Sequence, residues 1–435
     1  MSQSAVSNET AARPLGLWSA TALVIGSMIG SGVFLLPASL APFGAASLLG
    51  WGVTLLGAVL LALTFSRLSA KWPRTGGPYA FAREGFGETA AFVVAWSYWV
   101  SIWCANAAIA VAFSGSMGAI WPPLTATPLR AAGCALAALW VCSAVNLAGV
   151  RDAGRMQVVT TVLKLVPLLL FGGIALWFVD GSHYRPFNPS GQPLRDAVQA
   201  TVALTLWAFL GLEAATVPAG SIRDAQRTIP RATLLGTLLA GFATILACTA
   251  VLGLLPADVV RNSQAPMAEA ARSLWGPAAG IGIAIVAAVS CFGALNGWVL
   301  VSAQVPYAAA SDGLLPRRFT RLDKGGTPVF GVVVSSTLAS VLVLSNYSHS
   351  LVQLFTFSIL LSTAATLLPY VVSAAAWLRR GDGGGRVVAA LALVYSLYAL
   401  VGTGRESLLW GGALILAGLP IHAWRRWRVR AQPQA

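Results

Sequence analysis

The sequence predicts an all-α polytopic membrane protein, and three observations predict it: an apolar composition, a series of long apolar runs, and the placement of the basic residues. Hydrophobic residues make up 57% of the 435 residues and charged residues only 10%, whereas a soluble protein of this size has about 25% charged residues. Apolar runs of about 20 residues, each long enough to cross a bilayer, recur along the whole chain. They predict twelve transmembrane helices.

The predicted spans follow one another along nearly the whole chain. They cover residues 16–41, 45–66, 87–118, 129–148, 156–178, 197–220, 232–255, 277–310, 328–345, 350–377, 387–402 and 406–424. The polar segment 1–15 leads directly into an apolar run that is longer than a signal-peptide core and has no convincing cleavage site. We therefore expect the first span to be an uncleaved anchor.

The basic residues orient these spans. With both termini on the inside, most of the 28 Lys and Arg residues fall in inside segments, and the outside loops hold Arg130, Arg185, Arg195, Arg261, Arg272 and Arg405. This bias follows the positive-inside rule and accounts for the net charge of +14 without nucleic acid. We expect a multi-pass protein of the bacterial inner membrane with cytoplasmic termini, whose basic tail at 425–435 touches anionic lipid.

No pattern of an enzyme, a cofactor or a metal centre is present in the sequence. The five cysteines lie in apolar stretches without C-x-x-C spacing, which indicates buried thiols and no disulfide or metal framework. No nucleotide-binding motif occurs. We expect a protein that is not an enzyme and that uses no cofactor and no metal.

The first span contains an interruption. The segment Gly26-Ser27-Met28-Ile29-Gly30-Ser31-Gly32 holds three glycines and two serines at mid-span, although a glycine in a helix interior costs about 1 kcal/mol relative to alanine. Two interpretations fit this segment. Small residues allow helices to pack closely, and broken helices in transporters line substrate and ion sites.

A second interruption favours the interpretation as a site. Span six carries Gly211 and Glu213 at mid-membrane depth. Gly30 and Gly211 each lie in the first span of a five-span block, and two consecutive blocks with an odd number of spans enter the membrane from opposite sides. This predicts a five-plus-five inverted repeat with a binding site at the shared interface. The blocks are 16–178 and 197–377, and spans eleven and twelve, at 387–424, are expected to serve packing or dimerisation.

Two acidic or basic residues, Glu213 and Lys164, lie inside predicted spans and away from their ends. A carboxyl such as Glu213 costs roughly 2.5–3.5 kcal/mol at the centre of a membrane helix, and it usually faces a cavity or a partner. Glu213 either titrates with the external pH or hydrogen-bonds backbone freed by the break, and we favour the first role. Lys164 in span five can snorkel or occupy an ion position, and the sequence leaves both open.

Deep aromatic residues form a third feature. Trp207 and Trp298 lie too far inside their spans for the interfacial belt in which most membrane tryptophans sit. A desolvated cation over an indole face gains about 2 kcal/mol, so these rings suit a cationic ligand. Further polar and aromatic residues in the spans are Tyr98, Trp99, Trp103, Asn106 and Tyr370.

In these features the chain resembles the basic amino acid/polyamine antiporters of the amino acid–polyamine–organocation superfamily, and most closely those that exchange arginine for agmatine. The resemblance runs from Leu15 to the last span. Its most specific segments are Gly30–Ala38, Gly76–Ala80, Thr205–Glu213, Ile229–Ala232 and Asp312–Pro316. It implies the twelve-helix, five-plus-five inverted-repeat fold with broken helices one and six.

The resemblance also implies roles for individual residues. Backbone around the two breaks would bind the carboxylate and the α-ammonium of a substrate, aromatic rings would stack on its cationic end, and a group nearer the cytoplasm would close the inner gate and sense pH. The implied substrate-binding residues are Ser27, Met28, Ile29, Ser31, Gly32, Tyr98, Asn106, Trp207, Leu210, Trp298 and Ser362. The implied gate and pH-sensing residues are Tyr79, Tyr98, Glu213, Trp298 and Tyr370.

The sequence departs from the arginine carriers at three positions that face the pocket. Ser27 replaces an Asn, Ile102 a Cys and Ile109 a Met, which leaves open which side chain the pocket accepts. The resemblance implies an antiporter that exchanges arginine for agmatine, paired with a cytoplasmic decarboxylase. Carriers of polyamines, lysine, ornithine or neutral amino acids, with or without proton symport, are the alternatives within the fold. A membrane sensor or a channel is a more remote alternative.

Overall fold

The computed structural model describes residues 15–73, 76–148, 153–217, 219, 222–323 and 326–424. Within these ranges the chain is helical, and its only β-type pairing is an isolated bridge between Leu15 and Ile222. The predicted tail at 425–435 and all but the last residue of the predicted segment 1–15 lie outside the described residues.

The first half of the chain contributes eight helices to the described structure. They are α1 (Leu17–Met28), α2 (Gly32–Leu40), α3 (Ala46–Lys71), α4 (Pro78–Phe86), α5 (Glu88–Ile120), α6 (Pro128–Leu147), α7 (Ala153–Ala175) and α8 (Leu194–Leu206).

The second half contributes eight more within the described ranges. They are α9 (Ala225–Leu254), α10 (Ala257–Asn262), α11 (Pro266–Trp275), α12 (Pro277–Ser311), α13 (Val329–Ser345), α14 (Leu351–Arg380), α15 (Gly385–Gly402) and α16 (Gly404–Leu416).

The local sequence explains several of these boundaries. Helices α4 and α12 each begin with a proline directly after a glycine of positive φ, and proline is favoured at the first helical position because its missing N–H has no partner there anyway. Helix α14 begins with a capping box formed by Ser350 and Gln353, which satisfies two backbone donors at its start.

Ten helical segments among the described residues are long and apolar enough to cross a membrane. Helix α13 is a shorter apolar helix, and α8 lies in the interrupted segment of predicted span six. The prediction of an all-α polytopic membrane protein is confirmed. The count of twelve spans and the inverted repeat remain predictions.

Both predicted interruptions are present. Helix α1 ends at Met28, and α2 begins at Gly32 after three residues outside the helix. Helix α8 ends at Leu206 and is followed by a 3-10 turn at Trp207–Phe209. After that turn, Leu210 has an extended backbone. The helical order therefore fails at the glycine-rich positions of both segments.

The two interruptions contact each other. Gly211 has a φ of +101°, and a Cβ at this position would lie 2.9 Å from the Cβ of Ser27 and 3.1 Å from its carbonyl carbon. A positive φ of this kind is available to glycine and strained for other residues. Gly211 thus allows the backbone of the second break to lie directly against the end of α1.

Helix α5 crosses the centre of the bundle. Nearly all of its residues from Tyr98 to Ala112 are buried, and it packs mainly against α12 and α14. Trp99 of α5 donates to Ser335 of α13 over 2.8 Å. These contacts fix the wall of α5 that faces the two interruptions.

Candidate binding site

A small cavity lies where the two interruptions meet α5, α12 and α14. Its volume is about 30 Å³, which is room for one or two water molecules. A substrate the size of an amino acid enters only if lining side chains move. The lining residues are Ser27, Met28, Gly30, Ser31, Gly32, Tyr98, Ser101, Ile102, Ala105, Ile109, Trp207, Leu210, Glu213, Trp298, Ser362 and Thr366.

One end of the cavity carries hydrogen-bond donors. The backbone N–H groups of Gly30, Ser31 and Gly32 make no backbone hydrogen bond to any described residue, and the buried hydroxyl of Ser31 has no partner there either. They lie at the start of α2, where the helix dipole also favours negative charge. This end of the cavity suits a carboxylate.

The end of α1 supplies backbone acceptors on the same side. The last carbonyls of a helix have no partner within the helix, and they carry its partial negative charge. Of these, the Ser27 carbonyl accepts a hydrogen bond from Trp298 Nε1 over 3.3 Å. This bond holds the half-buried indole of Trp298 against the interruption. The Ile25 carbonyl accepts from the Ile29 N–H over 2.8 Å. The carbonyls of Gly26 and Met28 suit an ammonium group.

Trp207 lies on the other side of the α2 start. A Cβ on Gly32 would lie 2.9 Å from Trp207 Cδ1, so a side chain at position 32 would displace the indole. The Trp207 side chain is 7% exposed and lines the cavity together with Trp298. Both rings that the sequence singles out as too deep for the interface therefore border one space.

Glu213 closes the cavity on the side where α5 begins. Tyr98 donates to its Oε1 over 2.7 Å, and Tyr370 donates to its Oε2 over 2.6 Å. The Gly211 N–H also donates to Oε2, over 3.2 Å. Glu213 thus ties α5, α14 and the second break together through one fully buried carboxyl.

A second layer of contacts lies beyond Glu213, at the ends of the helices. Arg83 of α4 donates to the carboxylate of Asp312, at the end of α12, over 2.9 Å. The Tyr79 hydroxyl is hydrogen-bonded to the same carboxylate, and burial and the Asp312 charge raise the pKa of Tyr79. Tyr79 therefore stays neutral. This layer joins α4 to the end of α12.

Comparison with known proteins decides the family. A model of the amino acid permease family matches residues 15–426 of the chain. The chain belongs to the amino acid permease family. This confirms the resemblance to basic amino acid/polyamine antiporters, since the permease is similar to several proteins with names of that kind.

One relative, named as an arginine/ornithine antiporter of Bacillus subtilis strain 168, is 32% identical over 97% of this chain and 98% of its own length. The putrescine transporter of Escherichia coli K12 is 30% identical over 94% of this chain and 95% of its own length. A cadaverine/lysine antiporter of the same strain is 32% identical over 77% of this chain and 75% of its own length.

Most residues that the sequence assigns to the permease's site lie together. The structure brings Ser27, Met28, Ser31, Gly32, Tyr98, Trp207, Leu210, Glu213, Trp298 and Ser362 to the cavity. Tyr370 reaches it through Glu213. Three predicted residues, Ile29, Asn106 and Tyr79, do not line the cavity. Asn106 is fully buried, and both polar atoms of its amide lack a partner among the described residues.

Lys164 lies apart from this cavity. Its side chain is buried in α7, and its Nζ would be 3.9 Å from a Cβ on Gly293 of α12. Thr161, one turn earlier, donates to the Ala22 carbonyl of α1 over 3.0 Å. Both roles considered for Lys164 from the sequence stay open.

Two polar lining residues, Ser101 and Thr366, were not singled out from the sequence. Each is a small hydroxyl residue in an apolar helix, a type that also serves ordinary helix packing. Their spacing from residues already assigned to the site is the sequence feature that could have identified them. Ser101 follows Tyr98 by three positions, and Thr366 follows Ser362 by four, so each pair shares a helix face.

Proposed function

We propose that the permease is a secondary antiporter that exchanges a cationic amino acid for its decarboxylated amine across the bacterial inner membrane. The observation that carries this proposal is the cavity between two broken helices, with free amide donors at the start of α2 and carbonyl acceptors at the end of α1. This pair of groups matches the carboxylate and the α-ammonium of an amino acid. The names of the relatives support a cationic cargo.

The aromatic rings support the same cargo. Trp207 and Trp298 border the cavity, and stacking on an indole stabilises a desolvated cation by about 2 kcal/mol. Arginine against agmatine is the exchange that the sequence resemblance implies, while ornithine, lysine and their amines fit the same groups. In each exchange the product carries one more positive charge than the substrate, so a full cycle exports one net charge and works with a decarboxylase that consumes a proton.

The fold proposed for the permease is the five-plus-five inverted repeat. Its blocks are 16–178 and 197–377, each opening with one of the interrupted segments, and the basic residues orient both termini toward the cytoplasm. In this orientation the Tyr98–Glu213–Tyr370 group is the inner gate. The helices at 387–424 lie outside the repeat and face lipid or a second copy of the chain.

Uptake of polyamine is the second candidate function, and the similarity to the putrescine transporter favours it. One experiment separates the two. Purified protein in proteoliposomes is given labelled arginine, lysine or putrescine, with the matching amine or amino acid either inside or absent. Exchange requires the internal substrate, whereas uptake with a proton proceeds without it and follows an imposed pH gradient. Equal uptake by protein-free liposomes would contradict both functions.

A further inference from the structure

Helix α12 turns one of its faces toward the first interruption. A Cβ on Gly30 would lie 3.1 Å from the Ala294 Cβ, and Trp298 Nε1 donates to the Ser27 carbonyl over 3.3 Å. Ala294 and Trp298 are four positions apart and therefore share this face. Successive residues of an α-helix are about 100° apart, so a residue two positions from Trp298 faces nearly the opposite direction. Asn296 is such a residue.

The face of α12 that carries Asn296 is hydrogen-bonded to α6. Asn146 Nδ2 donates to the Asn296 carbonyl over 3.1 Å and to Asn296 Oδ1 over 2.9 Å. It also donates to the Cys142 carbonyl of its own helix over 2.9 Å. One turn away, Cys142 Sγ donates to the Phe292 carbonyl over 3.8 Å. Within the described ranges, these are the side-chain hydrogen bonds that join α6 to α12.

Helix α6 is anchored independently of α12. Trp140 Nε1 donates to the Ser340 hydroxyl of α13 over 3.1 Å, and the hydroxyls of Ser143 and Ser336 are hydrogen-bonded over 2.7 Å. Asn146 follows these residues near the end of α6 and is buried. Its amide therefore connects a helix that is already bound to α13 with the part of α12 next to Trp298.

We propose that the Asn146–Asn296 pair positions Trp298. By holding the far face of α12 against α6, the pair sets the rotation of α12 that brings the indole to the Ser27 carbonyl and to the cavity. Neither asparagine lines the cavity, so both act through Trp298 and not on the substrate. Hydrogen bonds between side chains and neighbouring helices are among the interactions that fix helix packing in a membrane. The inference rests on the proposed function and adds two positioning residues to it.

The first test needs no substrate. Purified protein labelled with fluorinated tryptophan is measured by fluorine NMR, and the resonance that is missing from Trp298→Phe belongs to Trp298. Asn146→Leu removes both amide protons at similar volume and should shift or broaden this resonance. Asn296→Leu keeps the backbone carbonyl as an acceptor and should have a smaller effect. An unchanged Trp298 resonance in Asn146→Leu would show that the inference is wrong.

Ser143→Ala is the matched control. Ser143 also lies on α6 and is buried, and its hydroxyl is hydrogen-bonded to another helix, but that helix is α13. Its loss should leave the Trp298 resonance where the wild type has it. If Ser143→Ala moves the resonance as far as Asn146→Leu does, the position of Trp298 responds to any change in α6, and the Asn146–Asn296 pair has no special role.

The second test asks whether the pair acts through Trp298. Binding of labelled arginine, and in parallel of labelled lysine, is measured on purified protein. A hydrogen bond between membrane helices is worth about threefold in an equilibrium on average, and a smaller competent fraction weakens the apparent affinity in proportion. Asn146→Leu, which removes two such bonds, should therefore raise the dissociation constant roughly three- to tenfold. Ser143→Ala should leave it unchanged.

A double-mutant cycle completes this test. An effect that is carried by Trp298 disappears when the indole is removed, so Asn146→Leu should add nothing in a Trp298→Ala background. Trp298→Phe serves as the background if binding to Trp298→Ala is too weak to measure. Equal loss of affinity in both backgrounds would mean that the pair only supports helix packing, and would overturn the inference.

The two tests also separate this inference from the proposed function. If the wild type binds neither cation, the proposed function fails, and the fluorine resonance still decides whether the pair positions Trp298. If the wild type binds cations and Asn146→Leu changes neither the resonance nor the affinity, the inference alone fails. Should Asn146→Leu reduce the amount of folded protein, Asn296→Leu carries both tests, with an effect of about threefold on affinity because one bond is lost.

Discussion

Tyr370→Phe tests whether the hydrogen bonds to Glu213 hold the cavity closed on one side. The change removes a hydroxyl 2.6 Å from Glu213 Oε2 and keeps the ring, which packs edge-on against Phe65 at 5.3 Å between centroids. A hydrogen bond of this kind contributes about 1 kcal/mol when both groups are neutral and up to about 3 kcal/mol when the carboxyl is charged. If the bond exists only while this side is closed, its loss favours the state open to that side by about five- to 150-fold.

The assay measures substrate affinity separately from the two sides. Oriented proteoliposomes report the half-saturating concentration of substrate outside and inside during exchange. Because the bond is lost only from the closed state, the affinity on the side of Glu213 should rise and that on the opposite side should fall. Opposite shifts of this kind indicate a change in the equilibrium between the two states.

Tyr184→Phe is the control. It also removes a tyrosine hydrogen bond, a partly buried one to the Thr249 carbonyl over 2.8 Å, but away from the residues that line the cavity. It should leave both affinities unchanged. If Tyr370→Phe lowers the affinity equally on both sides, Tyr370 contributes to substrate binding and is not a gate.

Three further predictions concern the same region. Gly211→Ala should abolish exchange and lower the melting temperature, because it adds about 1–3 kcal/mol of backbone strain and a clash with the end of α1. Gly297→Ala, with no neighbour within 4 Å of its Cβ, should leave exchange unchanged and should not lower the melting temperature, because alanine is favoured over glycine in a helix interior. Equal effects of the two changes would contradict the close contact of the two breaks. Trp298→Ala should reduce exchange about thirtyfold, because about 2 kcal/mol of stacking on a cation is lost. The amount of folded protein, measured by size-exclusion chromatography, should not change, and a drop would indicate a packing role. Glu213→Gln should keep substrate binding and lose the rise of exchange on acidification of the medium; coincident pH profiles of the variant and the wild type would place pH sensing elsewhere.

Much of the candidate site was predictable from the sequence because its cause is local. Gly30, Gly32 and Gly211 weaken a helix wherever they stand in an apolar run, so the two interruptions follow from residue type alone. Glu213 was predictable for a similar reason, since a carboxyl at that depth needs a partner. The residue pattern itself did not identify that partner, and only the resemblance grouped Tyr98 and Tyr370 with Glu213. Two tyrosines, one from α5 and one from α14, donate to this carboxyl. Both lie far from Glu213 in the sequence, so no local pattern predicts the contact.

Asn106 and Ser101 show a second limit of predicting the site from the sequence. They lie five positions apart on one helix and therefore on different faces, and the resemblance implied Asn106 as the substrate contact. The structure instead brings Ser101 to the cavity and leaves Asn106 buried beside it. Which face of α5 lines the cavity depends on how α12 and α14 pack around it. That packing depends on the whole helix bundle.

The sequence by itself determined that this chain is an apolar, all-α membrane protein with two weakened helices, because composition, run length and glycine content act within single segments. Only the tertiary structure decided that the two weakened segments contact each other at Ser27 and Gly211, and that Ser101 of α5 and Thr366 of α14 line the space between them. The physical reason is that helix geometry fixes the spacing of residues within a helix. It does not fix the rotation of that helix about its axis or its position along the neighbouring helices. Those are set by close packing of side chains that lie far apart in the chain.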